Sequence, residues 1–238
     1  MRLIFLPLLL AAAGADAGAA TPLNIVTEHA PPASMQGPDG VTGRETDKVR
    51  ELMARTATPY KIELFPWKRA YLMAQSQPHT CVYSTSRTPE REKLFKWIGP
   101  TDEAEWVLWG RADHEFPLKT LEDARKLRIG TYIGDARDEY LRSRGFNVEP
   151  VSNDLANPQK VLLKRIDLWA VGMRTGSPGP SRQEWADKVV PLLVFNRIKV
   201  YLACNPSVPD ELVDKLNAAL AEMRRDGSLA RLERKYEH

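Results

Sequence analysis

Beyond residue 20, the apolar positions of this chain fall in short clusters with two distinct spacings. Residues 23–27 (LNIVT) are apolar and β-branched, and residues 61–65 (KIELF) alternate, so both predict strands, as does the short run at 81–83 (CVY). Val49, Leu52 and Met53 recur at helical spacing within residues 47–56, and residues 67–75 repeat that spacing. Residues 30–43 are rich in Pro and Gly and predict loop. The order strand, loop, helix, strand, helix, strand implies parallel strands joined by crossover helices.

The second part follows the same style. Thr120-Leu-Glu-Asp123 has the spacing of a capping box, and residues 127–131 (LRIGT) predict a strand. A helix over 136–144 stops at Gly145, a residue suited to the left-handed turn after a helix. Residues 148–151 and 166–171 read as strands, and 189–205 as a long strand-rich stretch. Ser207, with Asp210 as its box partner, predicts a capped helix running to Arg225. Gly227 breaks it, and a last helix closes the chain. The whole predicts two α/β units, with the C-terminal helices returning to the first. Residues 172–181 (GMRTGSPGPS) form the longest turn-rich interruption and predict a surface loop.

The N-terminus belongs outside this fold. Arg2 precedes an apolar run over residues 3–13, and small residues follow, the layout of a cleaved secretory signal peptide with its cut near Ala17 or Ala20. The run is about half the roughly 20 residues that a spanning helix needs. Residues 1–20 are therefore expected to be a leader for export to a bacterial periplasm, with no cysteine near the cut to carry a lipid. The mature remainder suits one large domain or two lobes. A net charge of +3, with basic and acidic residues interleaved, gives no footprint for nucleic acid. The two cysteines, Cys81 and Cys204, are expected to form one disulfide in an oxidising compartment, two buried free thiols being the alternative.

The candidate chemistry lies in residues 84–100, STSRTPEREKLFKWIGP. Ser84, Ser86 and Thr88 share a face if the strand continues to Pro89. They would stand at the C-terminal end of a strand, where open α/β sheets hold ligands. Pro89 could open a helix whose first N–H groups remain free for an anion, and Arg91 adds a guanidinium able to grip a carboxylate through two hydrogen bonds. The alternative is that Arg91 pairs with Glu92 or another surface acid. Arg87 is a weaker candidate, because alternation sends it to the other face.

Taken in order, TEHAPPASM (27–35), GVTGRETDKV (40–49), FPWKRA (65–70), SRTPERE (86–92), LEDARKLRIGTYIG (121–134), RIDLWAVG (165–172) and the C-terminal VYLACNPSVPDELVDKLNAAL resemble the bacterial extracellular solute-binding proteins of amino-acid ABC transporters. The resemblance covers nearly all of the mature chain. It implies the type II periplasmic-binding-protein fold: two α/β lobes, each a mainly parallel sheet flanked by helices, joined by a two-strand hinge. Lobe 1 would be residues 21–105 plus 203–238, and lobe 2 residues 106–202 with the hinge strands at both ends. The implied sheet order sets 200–204 beside 81–84, which implies a Cys81–Cys204 disulfide inside lobe 1. The implied ligand site comprises Ser86 and Arg91 on a carboxylate, with Ser84 beside them. Glu28 would receive an ammonium and Trp67 would form an aromatic wall. The backbone N–H groups of Gly134, Asp135 and Ala136 would complete the carboxylate clamp. Glu28 could equally be a solvated acid, and Trp67 a plain core anchor. The chain departs from the family at Gly172, where an aspartate is common, and Trp169 could supply an apolar surface instead. Asp167 reads as structural.

The four histidines show no ligand spacing, and no CxxC, GxSxG or phosphate-cradling glycine loop occurs. No catalytic residue, metal or cofactor is expected. The resemblance implies a monomer that captures a small carboxylate-bearing, amino-acid-like solute and delivers it to an inner-membrane ABC permease. Two alternatives stand beside it: a periplasmic sensor subunit for a signalling receptor, and a dehydratase-like enzyme on the same fold.

Overall fold

The computed structural model describes residues 21–174 and 185–236. The expected leader at 1–20 lies outside the described residues, as does most of the 172–181 segment, whose first three residues instead belong to a strand. The first half opens with β1 (Leu23–Thr27), a small hairpin of β2 (Met35–Gly37) and β3 (Gly40–Thr42), and α1 (Arg44–Arg55). It continues through β4 (Tyr60–Leu64), α2 (Trp67–Ser76) and β5 (Thr80–Ser86). β4 and β5 both pair with β1 in parallel, as crossover connections through helices require. The β2–β3 hairpin corrects the expectation of pure loop over 30–43: Met35 faces Thr42 across a turn opened by Gly40 at φ +112°.

A 16-residue strand, β6 (Lys96–Arg111), then leaves this half. The second half contains β7 (Ile129–Tyr132), α3 (Ala136–Ser143), β8 (Val148–Val151), α4 (Asn157–Leu162) and β9 (Leu168–Arg174). β10 (Val189–Cys204), again 16 residues, returns, and α5 (Asp210–Arg225) and α6 (Ser228–Arg234) close the chain. All strands except the hairpin form one sheet in the order β4-β1-β5-β10-β6-β9-β7-β8. β6 and β10 pair antiparallel from Lys96 opposite Cys204 to Arg111 opposite Val189, so this ribbon alone carries the sheet from one half to the other.

Strand alternation explains the layering. Ile25 and Cys81 point to one face, where Leu52, Met53, Leu216, Leu220 and Met223 of α1 and α5 cover them; Val26 and Val82 point to the other, under Trp67, Ala70 and Ala74 of α2. The C-terminal helices thus pack on the first half, as expected. The second half repeats the plan, with Leu108, Ile129 and Leu168 packed against Leu141 of α3, and Trp109 and Trp169 against Val161 of α4.

Cys204 sits opposite Cys81 in the β10–β5 pairing, and the two sulfurs are bonded. The disulfide lies inside the first-half core. Two local expectations fail. Ser207 does not cap α5; that helix starts at Asp210 behind Pro209, and the Ser207 hydroxyl accepts from the His79 N–H at 3.1 Å. Pro89 opens no α-helix either: residues 89–91 are a turn, followed by a three-residue 3-10 turn, Glu92–Leu94.

A buried charge cluster stands where β6 leaves the first half. The Lys48 ammonium, 1% exposed, donates to the Thr101 carbonyl at 2.9 Å and meets Glu45 and Glu233 at 2.9 Å each. Arg44 reaches Asp102 at 2.9 Å, and Arg174, at the end of β9, reaches Glu233 at 2.8 Å. Burial pushes the Glu45 carboxyl up, against the pull of Lys48.

Candidate functional site

The C-terminal ends of β1, β5 and β7 converge where the two halves of the sheet face each other, and the residues singled out in the sequence lie there. Arg91 follows β5 and is 1% exposed. Its Nε and Nη2 donate to one oxygen of Glu139 on α3 at 3.0 and 2.9 Å, and Nη2 also donates to the Gly134 carbonyl at 3.1 Å. The guanidinium lies 4.6 Å over the Tyr71 ring. The carboxylate that Arg91 meets in this arrangement is thus the protein's own, contributed by the opposite half. Nη1 is left buried without a partner. Arg87, not Arg91, pairs with Glu92, through bonds of 2.8 and 2.5 Å, and it stacks over Trp97 and Tyr201.

The premise that Ser84, Ser86 and Thr88 share a face does not hold. β5 ends at Ser86, Ser84 has φ +59°, and the register against β10 shifts between Tyr201 and Ala203. A bulge there breaks the alternation that the argument needed. It turns the Ser84 hydroxyl to a buried position with no partner, while Ser86 has no such orphaned atom.

Trp67 is a core anchor and a contact between the halves at once. It is 3% exposed and packs in the first-half core. Its backbone N–H donates to the Tyr132 hydroxyl at 3.1 Å and its indole N–H to the Gly134 carbonyl at 3.0 Å. Gly134, at φ +76°, offers its carbonyl to both Trp67 and Arg91. Of the three N–H groups expected in the clamp, that of Asp135 is engaged by the Tyr132 carbonyl at 3.0 Å. Asp135 instead caps α3, its side chain accepting from the Arg137 N–H at 2.7 Å; Ala136 opens that helix and is buried.

Glu28, directly after β1, faces Asp135 together with Tyr132, Arg137 and Asp154, which the sequence reading did not single out. Burial pushes its carboxyl up to about 8; Asp135 and Asp154 add to the shift, while Arg137 and a hydrogen bond from Tyr132 oppose it. Arg137 is buried, with Nε on Asp135 at 2.6 Å, Nη1 on the Ala170 carbonyl at 3.3 Å and Nη2 3.6 Å from Asp154. Burial would lower its affinity for the proton, but Asp135 and Asp154 outweigh that and hold it ionised. Burial would also raise Asp135, yet Arg137 keeps it below the ordinary carboxylate range. For Asp154 burial wins, and its carboxyl is raised. Asp154 accepts from Trp169 Nε1 at 2.8 Å and Asn157 Nδ2 at 2.9 Å, so Trp169 anchors an acid as well as packing. At Gly172 a Cβ would stand 3.5 Å from Arg137 Nη1, an ordinary contact, so this position lies beside the guanidinium. Asp167 is structural, accepting from the backbone and side chain of Arg128.

Arg137 was legible in principle. Like Arg91, it is a basic residue in what the sequence makes a helix's first turn, where acids are favoured. Asp154, opening a three-residue 3-10 turn (Asp154–Ala156), carried no comparable signal.

The family model for bacterial extracellular solute-binding proteins, family 3, matches residues 23–238. The L-cystine-binding protein TcyJ of Escherichia coli (strain K12) is 25% identical over 210 residues, covering 87% of this chain and 78% of that protein. Among solved structures, a histidine kinase sensor domain with similarity to periplasmic binding proteins superposes with a TM-score of 0.81 at 17% identity, over 91% of this chain and 96% of that one. The ancestral amino acid-binding protein AncCDT-1, a precursor of cyclohexadienyl dehydratase, superposes with a TM-score of 0.75 at 20% identity, over 91% and 95%. At these identities the structures speak for the fold, the two-lobed α/β architecture of type II periplasmic-binding proteins. A β6–β10 ribbon between two sheet halves, and a match running from β1 to the end of the chain, place this protein in the bacterial extracellular solute-binding proteins, family 3.

Proposed function

We propose that this protein is a periplasmic, monomeric solute-binding subunit that captures a small carboxylate-bearing, amino-acid-like solute and hands it to an inner-membrane ABC permease. The lobes, residues 21–105 with 203–238 and residues 106–202, would close about the β6–β10 ribbon in a hinge movement driven by ligand contacts to both. The observation that carries this reading is the buried Arg91 guanidinium, held between the halves with Nη1 unpartnered, following the strand that buries the orphaned Ser84 hydroxyl. Buried donors without partners are uncommon and costly, and a carboxylate entering there would satisfy them. It would exchange with Glu139, which holds the other edge of the guanidinium. In this reading Ser86, Gly134, Asp135 and Ala136 would border the site, Trp67 would wall it, and Glu28 would receive the solute's ammonium. The TcyJ relative and the amino acid-binding AncCDT-1 support an amino-acid-like ligand.

Thermal-shift screening against amino acids and organic acids tests the reading: a cognate solute raises the melting temperature and is recovered unchanged. Arg91→Ala should lose about 2–5 kcal/mol of binding free energy, the usual cost of stripping one partner from a buried charge pair. Unchanged calorimetric affinity in that variant would remove the site assignment. The similarity to a kinase sensor domain supports a second reading, in which the same capture informs a membrane receptor; co-purification with permease or receptor separates the two. A dehydratase would consume the solute, which the recovery step detects.

A further inference from the structure

The grip of Glu139 on Arg91 runs through a single carboxylate oxygen, which accepts from Nε at 3.0 Å and from Nη2 at 2.9 Å. Resting on the capture reading above, we infer that Glu139 is a built-in competitor for Arg91: it covers the guanidinium before a solute carboxylate arrives and so sets how tightly such a solute binds. The argument begins with the helix. Glu139 lies one turn after Asp135 on α3, on the same side of it. The acids beside it have cations on that helix already. Arg137 holds Asp135 at 2.6 Å, and Arg142, three residues beyond Glu139, holds Asp138 at 3.0 Å. Glu139 takes its cation from the other half instead, in the pair with Arg91.

Three features make that pair exchangeable. The Glu139 side chain is 44% exposed and that of Arg91 only 1%, so the acid can return to water where the guanidinium cannot. Two donors on one oxygen also fall short of the fork in which each carboxylate oxygen takes its own N–H. Lastly, Nη1 stays buried without a partner, as does the Ser84 hydroxyl of the preceding strand. The Tyr71 ring, 4.6 Å from the guanidinium, and the Gly134 carbonyl, 3.1 Å from Nη2, hold Arg91 in place while its carboxylate partner changes. A solute carboxylate with both oxygens on the guanidinium completes the fork, and Glu139 turns out to solvent. Tethered to α3, Glu139 competes at a high effective concentration, so a solute must add contacts of its own to displace it. Its effect falls on association, because only the uncovered fraction of Arg91 can receive a solute.

Two measurements test this, on the wild type, Glu139→Gln and Glu139→Ala, substitutions at an exposed helix position that leave the core untouched. In the protein alone, proton NMR of arginine labelled with nitrogen-15 should show the Arg91 Nε–H, identified by its loss in Arg91→Lys, moving upfield in both variants as its carboxylate partner goes. An unmoved resonance means that the pair does not form in solution, and the competitor fails without reference to any solute. Calorimetry and stopped-flow tryptophan fluorescence then follow L-arginine, L-glutamine and L-cystine. Each that binds should bind both variants about fivefold more tightly, through faster association, with dissociation unchanged within about twofold. L-argininamide, which lacks the carboxylate, should gain nothing. Equal or weaker binding of the amino acids by the variants overturns the competitor while the capture reading stands. So does an equal gain for L-argininamide, or a gain carried by slower dissociation, which would place Glu139 on the bound solute. If none of the amino acids binds the wild type or either variant, the capture reading falls, and the competitor with it.

Discussion

At the residue scale, Glu28 makes folding itself sensitive to pH. Its carboxyl is raised to about 8 in the folded protein, while an unfolded chain holds it near the ordinary glutamate value. The folded state therefore binds this proton more tightly. The associated stability is present in full below the unfolded value and is lost as the pH rises through 8. Glu28→Gln should remove that loss, so its melting temperature should exceed that of the wild type at pH 9 and converge with it at pH 5. An identical pH profile in both proteins would show Glu28 to be solvated. Arg91 is the complementary case: its contacts with Glu139 and Gly134 tie one half to the other through one side chain. The sequence marked Arg91 and Glu28 by their places after strands. It did not mark Glu139, because an acid on an exposed helix face is ordinary until a partner from another part of the chain is brought to it.

At the element scale, β5 shows why the hydroxyl series was misjudged. Period-two alternation assumes an unbroken strand, and the bulge opposite β10 cannot be seen without the partner strand. The same pairing places Cys81 and Cys204, 123 residues apart in sequence, on neighbouring strands. Replacing both with Ala should cost about 2–5 kcal/mol by loop-closure reasoning, read as a lower denaturant midpoint under non-reducing conditions. Labelling of the unreduced, unfolded protein by a thiol reagent should find no free thiol. The Lys48 cluster joins α1, α6 and the start of the β6–β10 ribbon. Lys48→Ala would leave buried Glu45 with Arg44, at 3.3 Å, in place of its closer cation and should destabilise by about 3–5 kcal/mol, measured by chemical denaturation. Loss below about 1 kcal/mol would mean that Arg44 alone suffices for Glu45.

At the scale of the whole molecule, two sheet halves share one ribbon, and the ends of their parallel strands face each other across the site. Contacts between the halves concentrate on Trp67, Arg91 and Gly134 at the site and on Arg174 with Glu233 and Asp102 beside the ribbon. Among the described residues no helix is long and apolar enough to cross a membrane.

Local pattern determined much of this protein. The spacing of Val49, Leu52 and Met53, the alternation in β1, the capping box at Thr120 and the glycines at 145 and 227 act within a turn or two of chain, so the sequence alone could express them. The parallel core and the return of the C-terminal helices followed from the order of those elements. Tertiary structure alone decided which charges meet. It set Glu139 on Arg91, wrapped Asp135 and Asp154 around Arg137, and left Glu28 short of a cation. Electrostatic pairing depends on distance through space and on burial, and neither is written in the spacing of residues along a chain.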